Sequence, residues 1–239
     1  MRLLAFYPYI PYPIDRGAYW RGFHLLRELA RVHDVDLLAL SENGEGLEHK
    51  PVFTEFCHRV ELVPFNHPAW QKLWPNRLLN PLPATVAHWT CPDAARTLDR
   101  MLATERYDAV HLLDIILAQF FLHKHWRVPL VVDRTRVDLQ YQLTERRRLD
   151  CGWKAKLLNS ERLFKLWRYE RRVAHRARFE IVCSRDDEAF VRRYIRRRGE
   201  IVVLPNGVDT GFFSPSIAPE LARSEHPTIL FCGARQWSM

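Results

Sequence analysis

The sequence contains no apolar run near the roughly 18 residues that a membrane-spanning helix needs. The nearest candidate, Ile115 to Leu122, is interrupted by Gln119 and bounded by Asp114 and His123. Five cysteines, Cys57, Cys91, Cys151, Cys183 and Cys232, are odd in number, far apart and never in a CxxC pair, which argues against a disulfide framework and structural zinc. The eleven histidines are scattered. His123 and His125 stand two apart and would point away from each other on a helix, a poor metal pair. No metal and no resident cofactor are expected. Glycine is scarce, nine in 239 residues, and neither GxGxxG nor a P-loop occurs, so a dinucleotide enzyme or NTPase of the usual kind is not expected. Met1-Arg2 leads into strand-like sequence with no small-residue cleavage site, so a cytoplasmic location is expected.

What is present is an ordinary globular composition, 47% hydrophobic and 27% charged. The net charge of +8 is concentrated. Residues 144–199 hold 18 Lys and Arg against 8 Asp and Glu, a net of +10, and the remainder carries −2. A charge confined to one segment weakens any reading in which the surface wraps nucleic acid, and none is expected as a partner.

Short apolar runs without clean alternation read as strands near Leu3–Phe6, Val35–Leu40, Val60–Val63, Ala109–Leu112, Leu130–Asp133, Glu180–Cys183 and Ile201–Leu204. Helical patterns fit at Gly17–Val32, Pro92–Glu105, Ile115–Lys124, Trp153–Ala177 and Arg185–Arg196. Alternation of the two implies an α/β fold with a doubly wound, mostly parallel sheet. Residues 65–90, with Pro68, Pro75, Pro81 and Pro83, read as an irregular excursion over the carboxyl edge of that sheet. Ser184 with Asp187, and Thr90 with Pro92, read as helix starts.

Ligands of such sheets bind beyond the carboxyl ends of the strands. Those ends carry Asp15, Arg16, Gly17 and Arg21 after the first strand, and His111 and Asp114 after the fourth. Asp133, Arg134, Arg136 and Asp138 follow the fifth, and Ser184 and Arg185 the sixth. Gly17, at the mouth of a helix behind Pro8, Pro11 and Pro13, either lets an anion approach or merely starts the helix. In the basic segment, Trp153, Leu157, Phe164, Trp167 and Ala174 form one helical stripe, read as core-facing. Lys165, Arg168, Arg172 and Arg176 lie on an adjacent face, either a solvated face or a contact for an anionic membrane.

"IVVLPNGVDTGFFSP", residues 201–215, resembles the interdomain junction of the retaining glycosyltransferases of family 4. "YPIDRGAYWRGFHLLRELA" resembles the first loop and helix of the same family, and "ARFEIVCSRDDEAFVRR" its last N-domain strand and helix. The subgroup it is most similar to is the sugar transferases associated with bacterial exopolysaccharide systems. The resemblance implies the N-terminal, acceptor-side half of a GT-B fold of two Rossmann-like domains. Residues 1–205 would be that domain, 206–226 a linker, and 227–239 the first strand of a truncated donor-binding domain.

It further implies transfer from a nucleotide-sugar donor to a lipid-linked or polysaccharide acceptor, without metal, at the cytoplasmic face of a membrane. Arg16, Gly17 and Arg21 would meet the donor phosphates, and His111 and Asp114 the transferred sugar. Asp133, Arg136 and Asp138 would face the acceptor, and Asn206, Gly207 and Asp209 would shape a hinge. The sequence departs from the family where Ala234 separates Gly233 from Arg235, and no later lysine or Glu-rich motif follows. The chain by itself is therefore expected to be inactive. The alternative is a non-catalytic Rossmann-like binding or membrane-surface module.

Overall fold

The computed structural model describes residues 1–15, 17–66, 80–122, 124, 126–148, 153–195 and 199–211. Seven strands form one sheet: β1 (Arg2–Tyr7), β2 (Asp34–Glu42), β3 (Arg59–Phe65), β4 (Ala109–Leu113), β5 (Leu130–Asp133), β6 (Phe179–Val182) and β7 (Glu200–Val203). Their order is β3-β2-β1-β4-β5-β6-β7, and every adjacent pair is parallel. The chain winds outward from β1 to β3, then crosses back to lay β4 on the other side of β1. That reversal opens a crevice beyond the carboxyl ends of β1 and β4.

Side-chain alternation explains why the apolar runs are continuous. Leu4 and Phe6 of β1 enter one core with Leu38, Leu40, Val110 and Leu112. Leu3, Ala5 and Tyr7 enter a second core on the opposite face, with Leu37, Ala39, Leu26 and Phe53. A strand with both faces covered favours apolar residues throughout, and the polar ones it holds, Asp36, His111, Asp133 and Glu180 among them, are buried. A third cluster, Val137, Leu139, Leu163, Leu166, Val182, Val191 and Ile201, extends the packing under β6 and β7.

The helices are α1 (Gly17–Val32), α2 (Lys50–Thr54), α3 (Ala84–Ala87), α4 (Pro92–Thr104), α5 (Gln119–Leu122), α6 (Asp138–Arg148), α7 (Trp153–Arg176) and α8 (Arg185–Phe190). The pattern at 115–124 resolves into a 3-10 turn, Ile115–Ala118, and the short α5. That at 185–196 resolves into α8 and a π turn, Val191–Ile195. Helix α6, DLQYQLTERRR, has too few apolar residues to announce itself and is anchored by Leu139 instead. Ser184 caps α8 as read, its Oγ accepting the Asp187 amide at 3.1 Å. The Thr90 cap is corrected: Cys91 is the N-cap of α4, its sulfur accepting the Ala94 amide at 3.4 Å, and Thr90 instead donates to Gln119 Oε1 at 3.1 Å. Within the excursion at 65–90, residues 67–79 lie outside the described residues, as do His123 and His125.

The stripe assigned to the core along α7 is also corrected. Leu157 and Phe164 are 66% and 59% exposed, whereas Ala174 is buried and Trp167 packs half-buried against the third cluster as read; the Trp153 side chain lies outside the described ones. The face against the sheet is Leu163, Leu166, Tyr169, Glu170, Val173 and Ala177. Tyr169 fixes this rotation by donating its hydroxyl to the Ile115 carbonyl at 2.8 Å.

The chain divides into two compact units, Met1–Asn206 and Gly207–Met239. Of the second, residues 207–211 are described, where the Gly211 amide donates to Asp209 Oδ1 at 2.9 Å.

Candidate functional site

The cleft beyond β1 and β4 holds about 520 Å³ and is lined by Tyr9 from the proline loop, His88 and Trp89 after α3, and Asp114 and Ile116 after β4. Arg136, Asp138 and Gln142 line it from the β5 side and Arg162 from α7. A second hollow of about 380 Å³ lies on the other side of Tyr9, between the proline loop and the exit of β2.

Asp114 is the most constrained residue of the cleft. Its backbone sits at φ 80° and ψ 147°, a region that L-residues other than glycine seldom enter and that costs about 1–3 kcal/mol. The turn that produces this has Asp114 as the cap of the 3-10 segment. Its carboxylate accepts the Ile116 amide at 3.3 Å and the Thr135 hydroxyl at 3.4 Å, and its own amide donates to the Asp133 carbonyl at 2.8 Å. Burial pushes its carboxyl up to about 6, and the nearby charge of Asp138 adds to the rise against the backbone amides and Arg136. Arg136 donates to Asp138 at 2.7 Å and lies over the Tyr141 ring at 4.6 Å, so both charges are held at the cleft wall.

Other predicted residues are placed elsewhere. His111 is the third residue of β4 rather than the start of a loop, and it is 7% exposed. Its ring meets Tyr7 edge-on at 5.8 Å, and its Nε2 lies 3.6 Å from Asp133 Oδ2. Asp133 is fully buried, so it does not face an acceptor. It accepts Arg21 Nη2 and Nε at 2.8 and 3.1 Å. Arg21 also donates to the Leu204 carbonyl at 3.0 Å and to Asn206 Oδ1 at 3.1 Å, so its guanidinium is held inside the domain instead of at a phosphate. Asn206 is thereby tied to α1. Arg134 is buried between Glu170 and Glu180, at 2.8 and 3.3 Å, and is no part of the rim.

Gly17 starts α1, and a Cβ there would meet nothing within 4 Å. Arg16 lies outside the described residues. Gly207 and Asp209 belong to the second unit. Of the four basic residues read on one face of α7, Arg168 is exposed, Arg172 is half-buried, Lys165 pairs with Glu161 at 2.6 Å, and Arg176 donates to the Trp126 carbonyl.

Tyr9, His88, Trp89, Gln142 and Arg162 line the cleft without having been singled out. Their residue types carry no spacing signal, and they converge only when the loop after β1, α3, α6 and α7 are assembled. Among the described residues no group of three His, Cys, Asp or Glu is placed to hold a metal, and no helix is long and apolar enough to cross a membrane.

The seven-stranded parallel sheet, covered on both faces and cleft at its β1/β4 reversal, is a Rossmann-like domain of the GT-B glycosyltransferase fold. It is similar to the sucrose-phosphate synthase of Thermosynechococcus elongatus, with a TM-score of 0.58 at 16% identity, covering 90% of this chain and 50% of that one. It is also similar to UGT71G1 of Medicago truncatula, solved with UDP-glucose, with a TM-score of 0.51 at 12% identity over 88% and 52%. The chain thus spans about half the length of these structures. Residues 17–207 match the glycosyl transferase 4-like domain, and the chain belongs to that family. No curated protein matches the sequence.

Proposed function

We propose that the chain is the acceptor-side half of a glycosyltransferase that moves a sugar from a nucleotide-sugar donor to a lipid-linked or polysaccharide acceptor. The observation that carries this is Asp114, held in strained backbone where the cleft meets the reversal of the sheet. Strain of this kind persists where the surrounding structure over-determines it, and it concentrates at ligand sites. As an ionised carboxylate, Asp114 accepts the hydrogen bond of an acceptor hydroxyl and is placed to take its proton. The Arg136–Asp138 pair orients neighbouring hydroxyls, and Tyr9 and Trp89, stacked on Tyr19 and Phe65 respectively, line the cleft as aromatic surface for a sugar. At Gly17 the open space beside the helix start admits the donor diphosphate.

Retaining stereochemistry, exopolysaccharide assembly, the linker at 206–226 and a donor domain opening at 227 rest on the motif resemblance, as does a site without metal. The test is a titration of the 239-residue chain with oligosaccharides, followed by tryptophan fluorescence. A saturable change is expected, lost in Trp89→Phe and shifted to about tenfold weaker binding in Asp114→Asn, the scale of one hydrogen bond to a charged group. No saturable change with any saccharide, or an unchanged response in Trp89→Phe, overturns the reading.

A further inference from the structure

Helix α7 turns apolar side chains outward. Leu157 and Phe164 lie seven residues apart on one face, about 10 Å along the axis. Their exposures of 66% and 59% are the reverse of what a Leu and a Phe on a core-flanking helix adopt. Phe164 packs at 5.9 Å against Trp167, and Trp167 Nε1 donates to the Tyr194 carbonyl at 3.0 Å, joining α7 to the π turn. Tyr194 is itself 46% exposed. Arginines surround this surface: Arg168 is exposed on the same face, Arg171 lies over the Trp167 ring at 4.9 Å, and Arg193 over the Tyr194 ring at 5.3 Å. The opposite face of the helix is committed to the core, so α7 cannot roll to hide these groups.

We infer that this surface docks the domain on an anionic lipid bilayer. The arrangement follows the layering of a membrane interface. Leu157 and Phe164 enter the acyl boundary, Trp167 and Tyr194 sit at headgroup level, and the arginines reach lipid phosphates. Charge complementarity selects this occupant: the segment bearing the surface, residues 144–199, carries a net +10 in a chain that is otherwise −2. The contact set differs from a purely basic face of Lys165, Arg168, Arg172 and Arg176, because Lys165 and Arg176 are engaged within the protein. The inference does not rest on sugar transfer, and its readout contains no sugar, so the two fail separately.

The test is co-sedimentation of the 239-residue chain with phosphatidylcholine vesicles carrying increasing phosphatidylglycerol. Binding rises with the anionic share and falls with salt. Replacing Arg168, Arg171 and Arg193 together by Gln weakens binding on the order of a hundredfold, at about fivefold per charge. Leu157→Ser with Phe164→Ser, at exposed positions where folding is not at stake, weakens it roughly tenfold while keeping the salt dependence. Circular dichroism confirms that each variant is folded. Equal binding to neutral vesicles, no loss in either folded variant, or a dimer in solution that the Leu157→Ser, Phe164→Ser chain loses, overturns the inference.

Discussion

Arg21 and Asp133, 112 residues apart, meet in a buried ion pair in which two guanidinium nitrogens, Nε and Nη2, reach the same carboxylate oxygen. The remaining Arg21 contacts run to Leu204 and Asn206, so one side chain ties α1 to the ends of β5 and β7. Removing one partner strands a buried charge. Arg21→Met is expected to cost about 3–5 kcal/mol in urea unfolding, and adding Asp133→Leu to restore a large part of it. Burial raises the Asp133 carboxyl, but His111 and Arg21 outweigh burial and hold it below the ordinary range. A depressed carboxylate stabilises the fold above its unfolded pKa and loses that contribution as pH falls through the folded one. Acid unfolding of Asp133→Asn should therefore be shallower than that of the parent.

Asp114 sets function against stability. Asp114→Gly relieves the φ of 80° and should leave the melting temperature unchanged or raised, while Asp114→Ala keeps the strain and lowers it. Both should weaken saccharide binding. With its carboxyl near 6, Asp114 is ionised only above that pH, so binding that uses its carboxylate rises through about pH 6 in the parent and is flat in Asp114→Asn.

Gly22 and Gly17 should behave oppositely. A Cβ on Gly22 would stand 2.9 Å from Cδ2 of Leu113, a residue of the second core, and 3.2 Å from Cβ of the buried Pro11. Gly22→Ala is expected to cost about 1–3 kcal/mol by overpacking, read from the urea midpoint. Gly17→Ala meets nothing and should stabilise by roughly 0.5–1 kcal/mol. A melting temperature that falls in Gly17→Ala would mean that the helix start needs glycine for its backbone.

Arg134 lies between two carboxylates, Glu170 and Glu180, with no exposure on any of the three side chains. Arg134→Met leaves both acids buried without their cation and should cost at least about 3–5 kcal/mol. Burial lifts the Glu170 carboxyl to about 7, against the pull of Arg134. The folded chain then binds that proton more tightly than the unfolded one, so stability falls as pH rises from about 4.5 to about 7. Glu170→Gln removes this slope, which denaturant midpoints across that range would show.

Much of the fold was legible because strand and helix patterns are local. All seven apolar runs are strands, and Gly17–Val32 is a helix as read, since period and β-branching act within a few residues. The placement of Asp114 and Asp138 at the cleft was legible too, because both follow strand ends on the carboxyl edge of a parallel sheet. The cap of α4 was misassigned because Cys91 and Thr90 offer neighbouring acceptors, and backbone direction alone selects between them.

By itself the sequence determined the alternating α/β order, the basic segment and the residues that could reach the carboxyl edge, all carried by composition and short-range spacing. Tertiary structure decided what those residues touch. Helical periodicity says that α7 has stripes, not which stripe meets the sheet, and the Tyr169 bond to Ile115 chose Leu166 and Val173 over Leu157 and Phe164. His111, Asp133 and Arg21 read as rim residues until burial turned them inward, because a charge is worth burying only beside a partner, and theirs come from distant strands and helices.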